Sequence, residues 1–197
     1  MTVITIDGNI GAGKTSVLNY LHRNHKIPVD LEPVENWTTY LTEMYDRQEN
    51  VFKFQIRVWL DRCWIQEKCV KTTILMERSP RFIQGVFINM AEEQKIITPR
   101  EKELLMDLHK KTDKLWENNI YIYLRANPEN CCKRIKKRNR SCEKQITDEY
   151  INALHDKHEN LYEEMKAKNE NITCIDIDNK TISEIANEIL SVIGSNI

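Results

Sequence analysis

The sequence predicts a three-layer α/β architecture, a five-stranded parallel sheet flanked by helices, and two observations carry that prediction. Short apolar, β-branched segments alternate with longer stretches of helical periodicity from one end of the 197 residues to the other, the pattern of strands joined by crossover helices. The first such segment, Val3, Ile4, Thr5, Ile6, also runs directly into a glycine-rich turn that is followed by the amphipathic Val17, Leu18 and Leu21.

Taken in order, "IPVDLEP" reads as a second strand ending near Glu32, where Pro33 blocks easy continuation into helix. A helical stretch from about Trp37 to Val70 follows, with a break expected around residues 46 to 50. "TTILMERS" is the third strand, "NNIYIYLRA" the fourth and "NITCIDID" the last, with helices expected near 80 to 91, 99 to 117, 128 to 138, 147 to 168 and 181 to 193. In such sheets ligands sit beyond the carboxyl ends of the strands. The polar residues there are Asp7, Glu32, Glu77, Arg78 and Arg125.

Composition narrows the field of functions. The length suits one well-buried domain over 1–197, and no repeat or Pro/Gly-rich linker divides it. The 29 basic and 30 acidic residues nearly balance, so no overall field draws the chain to nucleic acid or to an acidic membrane. No apolar run approaches a membrane span. The six cysteines lack C-x-x-C spacing and read as free thiols of a reducing compartment. With the first strand beginning at once, no signal or transit peptide is expected, and the expected location is cytoplasmic.

The turn after the first strand is Gly8, Asn9, Ile10, Gly11, Ala12, Gly13, Lys14, Thr15, which meets G-x-x-x-x-G-K-[ST] at every specified place. Its glycines bring bare N–H groups close to phosphate oxygens, and the following helix adds the positive end of its dipole. Lys14 would reach the terminal phosphates, and the Thr15 hydroxyl would ligate Mg2+. Such a loop serves kinases, switches and motors alike, so the acceptor has to be read elsewhere.

Three features bear on it. Glu32, held at a strand end, could accept the proton of an attacking hydroxyl as general base, or be a loop salt bridge. In "MERS", Glu77 could hold the metal and Arg78 could balance charge on the transferring group, or the two could be an ordinary pair at a helix start. The run "RIKKRNRSCEKQ" carries Arg134, Lys136, Lys137, Arg138 and Arg140 without interleaved aromatics. That composition suits a lid over phosphates better than a single-strand nucleic-acid groove. His155 and His158, spaced i, i+3, lack an evident third metal ligand, and Phe54, Trp59 and Trp64 read as core.

"GNIGAGKT", "EPVENW", "FQIRVW", "MERSPRFIQGVF", "YLRANPE" and "RIKKRNRSCE", in that order and at compatible spacings, resemble the deoxyribonucleoside kinase family over about residues 2 to 178. The resemblance implies a P-loop kinase fold with a basic lid near 134–144, and transfer of the ATP γ-phosphate to a deoxynucleoside 5′-hydroxyl. It places ATP on Gly8 through Ser16 and on the lid residues Arg134, Lys136, Arg138 and Arg140. Glu32 matches the general base, and Arg78 the arginine near the 5′-oxygen. Glu77 matches the acid near magnesium, so the resemblance implies Thr15 and Glu77 as metal residues. Gln55 falls where a glutamine bonds the base edge, Phe87 where an aromatic stacks on the base, Trp37 in the same pocket, and Tyr45 and Glu143 at the sugar 3′-hydroxyl. A homodimer is implied as well.

Two departures matter for the substrate. Lys136 stands where an arginine is frequent, which keeps charge but loses the planar fork. Where members favouring deoxycytidine or purines carry an Arg and Asp pair, and thymidine-accepting members a small or apolar pair, this chain has Arg62 and Ile83. Ile83 offers an apolar surface to a thymine methyl, so the expected substrates are pyrimidines, thymidine included, with Arg62 facing the base. A nucleoside monophosphate kinase such as a thymidylate kinase shares the loop and lid logic, but Glu32 would repel its substrate phosphate. A non-catalytic nucleotide switch would have no use for a pocket built from Glu32, Gln55 and Glu143.

Overall fold

The structure, a computed structural model, describes residues 3–63 and 73–196. Five parallel strands, β1 (Val3–Gly8), β2 (Val29–Asp30), β3 (Ile74–Glu77), β4 (Ile120–Arg125) and β5 (Ile172–Asp176), lie in the order β2-β3-β1-β4-β5. β1 is central and buried along its whole length, as a near-continuous apolar run in a parallel sheet requires. Its register sets Ile6 opposite Glu77 on β3 and Asp7 opposite Tyr123 on β4, which brings the polar strand ends to one edge.

Helices cover the sheet on both sides. α1 (Lys14–His25) packs on β1 and β3 and against the C-terminal α9 (Ile182–Asn196). Elsewhere α8 (Asp148–Ala167) packs against α7 (Pro128–Arg138) and against a π-helical segment, Ile83–Ile88. That segment is flanked by the short α4 (Pro80–Phe82) and α5 (Asn89–Glu93), so the helix expected near 80 to 91 has a widened turn in its middle. α2 (Val34–Arg47) and α3 (Val51–Arg62) form a helical pair interrupted at residues 48 to 50, where Gln48 and Asn50 take positive φ. The expected break is there. The rest of that stretch to Val70, with Trp64 and Cys69, lies outside the described residues.

α6 (Pro99–Thr112) starts on a capping box, in which the Thr98 hydroxyl accepts the Glu101 N–H and the Glu101 carboxylate accepts the Thr98 N–H. Its 3-10 continuation, Asp113–Trp116, completes the helix expected over 99 to 117. The second strand is shorter than expected. Only Val29 and Asp30 pair, because Pro28 and Pro33 bracket an edge strand that has little left to offer the ladder.

Two large apolar clusters account for most of the interior of the described residues, beside a small third one of Val3, Met76 and Trp116. One joins the sheet to α1, α4, α8 and α9 through Ile4, Ile6, Leu18, Leu21, Phe82, Leu154 and Ile189. The other gathers Trp37, Leu41, Phe54, Val58, Trp59 and Ile83 from α2, α3 and the π-helical segment. His158 belongs to the interior and not to a metal face. Its Nδ1 lies 2.6 Å from the Leu154 carbonyl oxygen, its ring stacks on Tyr123, and burial pushes its imidazole down to about 3. Among the described residues no helix is long and apolar enough to cross a membrane.

Candidate active site

Where the two clusters meet the carboxyl edge of the sheet, a cavity of about 280 Å³ extends from the glycine-rich turn to the side chains of α2 and α3. At its phosphate end, Gly11 and Gly13 adopt φ of 81° and 88°. A Cβ at Gly11 would stand 2.6 Å from the carbonyl oxygen of Cys131 on α7, so only glycine fits that contact. Gly13 opens α1, and Lys14 follows with its Nζ donating to the carbonyls of Gly8 and Asn9 at 3.2 and 3.1 Å. Burial, then the Arg78 charge, pushes the Lys14 ammonium down to about 8. Asn9 braces the turn by donating to the Ile151 carbonyl at 2.9 Å. Ile10, Thr15 and Ser16 line the cavity, Ala12 is buried beneath it, and Gly8 ends β1.

A compact charged group adjoins this turn. Arg78 Nε donates to Glu32 Oε1 at 2.5 Å, and the Arg78 guanidinium lies 4.5 Å over the Phe87 ring. Arg78 itself takes φ of 65°, a left-handed conformation outside glycine's usual role, at the end of β3. Glu77 Oε1 accepts the Thr15 hydroxyl at 2.7 Å, and its Oε2 accepts the Glu32 backbone N–H at 3.3 Å. Burial pushes Glu32 up, but Arg78 and Lys14 together outweigh it and hold the carboxyl below its ordinary value. Burial and the neighbouring Glu32 push Glu77 up instead. The pair is therefore split into a base-ready carboxylate and a carboxyl whose surplus negative charge a cation would relieve.

The far wall is less charged. Trp37 is fixed by donating its indole N–H to Asp61 at 2.7 Å, and it meets Phe54 edge to face. Gln55 lines the same wall, and among the described residues its buried Oε1 has no hydrogen-bond partner, nor has Arg78 Nη1. Orphaned polar atoms beside a cavity are what a polar ligand satisfies. Ile83 and Phe87 reach the cavity from the π-helical segment. Tyr45 lies edge to face against Tyr150, with burial and then Tyr150 and Glu143 holding its phenol well above the ordinary value.

The basic segment divides. Arg138 grips Glu143 with two bonds of 2.9 and 2.8 Å, Arg140 adds a third of 3.4 Å, and all three residues line the cavity. Arg134 reaches the Gly11 carbonyl at 3.4 Å. Lys136 does not join them: it is exposed and pairs with Asp148 at 2.9 Å, because residues two apart on α7 point to nearly opposite sides.

Arg62 requires a correction. It does not face the cavity, but is almost fully buried behind the strand ends, where it donates to Asp30, Leu31 and Glu77. Arg125, another strand-end residue, pairs with Glu159 and Asp176 outside the cavity. Tyr150, which the sequence did not single out, lines the cavity from the first turn of α8; its place on the same helical face as the buried Leu154 and His158 was the available signal.

A parallel sheet in this order, with a phosphate-type turn after its central strand and a carboxylate and arginine meeting beside it, defines a P-loop kinase fold. Comparison narrows that class. The model of the family described as deoxynucleoside kinase matches residues 4–196. A protein of Invertebrate iridescent virus 3 named as a kinase, 029R, is 31% identical over 196 residues, which cover 98% of this chain and 96% of that one. Human mitochondrial thymidine kinase 2 is 31% identical over 175 residues, covering 80% of this chain and 63% of the relative. The solved structure of a deoxyadenosine kinase from M. mycoides with bound dCTP superposes with a TM-score of 0.80 at 25% identity, covering 96% of this chain and 99% of that one. The chain belongs to the deoxynucleoside kinase family and is an ATP-dependent phosphotransferase.

Proposed function

We propose that the cavity takes a pyrimidine deoxynucleoside, thymidine included, and that the enzyme passes the γ-phosphate of ATP to its 5′-hydroxyl, a salvage step that yields the deoxynucleoside monophosphate. The observation that carries this reading is the Glu32–Arg78 pair, 2.5 Å apart between the phosphate turn and the wall bearing Gln55. Glu32, kept ionised by Arg78 and Lys14, takes the proton from the attacking hydroxyl. Arg78, with Nη1 unpartnered, holds the oxygen that changes bonds, and Lys14 neutralises the phosphates.

The base would lie between Phe87 and the Trp37 wall, with the Gln55 amide presenting donor and acceptor to its edge. Leu41, Val58 and Ile83 supply the apolar surface for a pyrimidine and its methyl group. The sugar 3′-hydroxyl would meet Tyr45 and the Glu143 carboxylate that Arg138 holds in place. Arg134, at the Gly11 carbonyl, stands by the phosphate turn, Arg138 and Arg140 line the cavity beside Glu143, and Lys136 would need to leave Asp148 to join them.

Mg2+ fits the oxygen donors here. Thr15 Oγ1 and Glu77 Oε1, 2.7 Å apart, would hold it, and the raised Glu77 carboxyl fits a cation site. When bound, it draws negative charge from the phosphate oxygens. A homodimer is also proposed; α3 and α6 pack side by side and present exposed Leu60 and Leu104.

The test is ATP-dependent phosphorylation of thymidine, deoxycytidine, deoxyadenosine and deoxyguanosine by the native chain and by Glu32→Gln. Pyrimidines should lead, and the variant should lose about 100- to 10,000-fold in kcat while still binding nucleoside. Purine preference would overturn the base assignment. Full turnover in the variant would remove Glu32 as the base.

A further inference from the structure

We propose that Arg62 is a positioning residue for phosphoryl transfer, clamping together the two strand ends that carry Glu32 and Arg78, and that it does not read the base. The inference rests on the roles just proposed for Glu32 and Arg78.

The clamp follows from four bonds. Arg62 Nη2 donates to the carbonyl of Glu77 at 2.8 Å and to that of Asp30 at 3.2 Å, while Nη1 donates to the carbonyl of Leu31 at 3.2 Å and to Asp30 Oδ1 at 3.1 Å. The Leu31 carbonyl belongs to the peptide unit that leads into Glu32, and the Glu77 carbonyl to the one that leads into Arg78. One planar guanidinium thus sets the orientation of both peptide planes.

The sheet gives little help at this point. β2 pairs with β3 only at Val29 with Leu75 and Asp30 with Met76, so the ladder stops before either functional residue. Beyond it, Glu32 touches β3 through its N–H to the Glu77 side chain at 3.3 Å and through its ion pair with Arg78. Arg78 moreover sits at φ of 65°, a conformation that persists only where surrounding bonds over-determine it. Arg78 N–H bonded to the Ile6 carbonyl at 3.0 Å and Ser79 N–H bonded to Asp7 at 2.8 Å secure one side. Arg62 secures the other.

The same geometry denies Arg62 a role in the base pocket. Its side chain is 2% exposed, both terminal nitrogens are engaged with the strand ends, and its Nε is buried. A forked donor is needed because two separate strand ends must be held at once, which a lysine ammonium does less well.

Arg62→Met and Arg62→Lys are compared with Glu32→Gln, measuring kcat and KM for the two deoxynucleosides that turn over fastest, and nucleoside binding by titration. In Arg62→Met kcat should fall about 10- to 100-fold, as for a small misplacement of reacting groups, with nucleoside affinity and the preference between the two nucleosides unchanged. Arg62→Lys should recover part of that loss. If Arg62→Met does not fold, Arg62→Lys, which keeps the buried charge, carries the same readouts through an intermediate fall in kcat. Native kcat, a preference changed by about tenfold or more, or a loss confined to KM would overturn the proposal. Turnover retained in Glu32→Gln would refute the reading of Glu32 itself; an inactive Glu32→Gln alongside a shifted preference in the Arg62 variants would refute only the clamp.

Discussion

Asp7, next to last in the central strand, has no surface exposed; its Oδ1 accepts the Ser79 N–H at 2.8 Å, and its Oδ2 has no hydrogen-bond partner among the described residues. Burial pushes its carboxyl from 3.8 up to about 6, against the opposing pull of Ser79 and Arg78. Between those two values the folded chain binds more protons at Asp7 than the unfolded chain does, so stability falls as pH rises through that window. At about 1.4 kcal/mol per pH unit, the full loss above pH 6 is about 3 kcal/mol, of which about 2 kcal/mol develops between roughly pH 4.5 and 7.5. Asp7→Asn keeps the Oδ1 acceptor and the shape but cannot ionise. It exchanges a partnerless oxygen for a partnerless amide, an offset of about 1–3 kcal/mol that does not vary with pH. Urea unfolding of both proteins at the two pH values cancels that offset. The stability of the variant relative to the native chain should rise by about 2 kcal/mol from the lower pH to the higher. A relative stability equal at both pH values would mean that Asp7 ionises freely in the fold and that its burial carries no electrostatic penalty.

The remaining predictions concern the phosphate turn. Gly11→Ala combines a left-handed backbone with a Cβ 2.6 Å from the Cys131 carbonyl, so it should destabilise the fold by about 1–3 kcal/mol and raise KM for ATP; an unchanged melting temperature and KM would show that α7 yields freely. Because Lys14 loses its proton near pH 8 in the free enzyme, ATP binding above that pH should take up a proton and weaken as pH rises. Calorimetry in buffers of different ionisation enthalpy measures the uptake, and binding without it would place the Lys14 transition at its ordinary, higher pH.

Much of this was legible because the signals were local. The glycine-rich turn, the end of β3 at Glu77 with Arg78 just beyond it, and the break between α2 and α3 each follow from residue type and spacing within a few positions, whereas β2 stops at Asp30, two residues short of Glu32. Other features depended on distant partners. The inward face of Arg62 could be read from α3, but whether its guanidinium turned to the cavity or to the carbonyls of Leu31 and Glu77 depends on strands 15 to 32 residues away in sequence. Lys136 and Arg138 look alike as charges in one run, and the turn of α7 separates them. The widened turn at Ile83–Ile88 was hidden as well, because a pattern of apolar residues fits either helical pitch until both packing partners are known.

That widened turn bears on how a pocket of this kind can change. Phe82, Val86 and Met90 face one apolar cluster while Ile83, Ile88 and Ala91 face the other, and Ile83 and Phe87 border the cavity from between them. A Cβ on Gly85 would come within 2.7 Å of Leu161, so the segment also lies close against α8. Removing one residue would close the widened turn to the ordinary α pitch, leaving the flanking turns in register while withdrawing one side chain from the wall. The wall can therefore be re-dealt by a change of length as well as by a change of side chain. Insertions and deletions, ordinarily confined to loops, have at this position a direct route to the shape of the cavity.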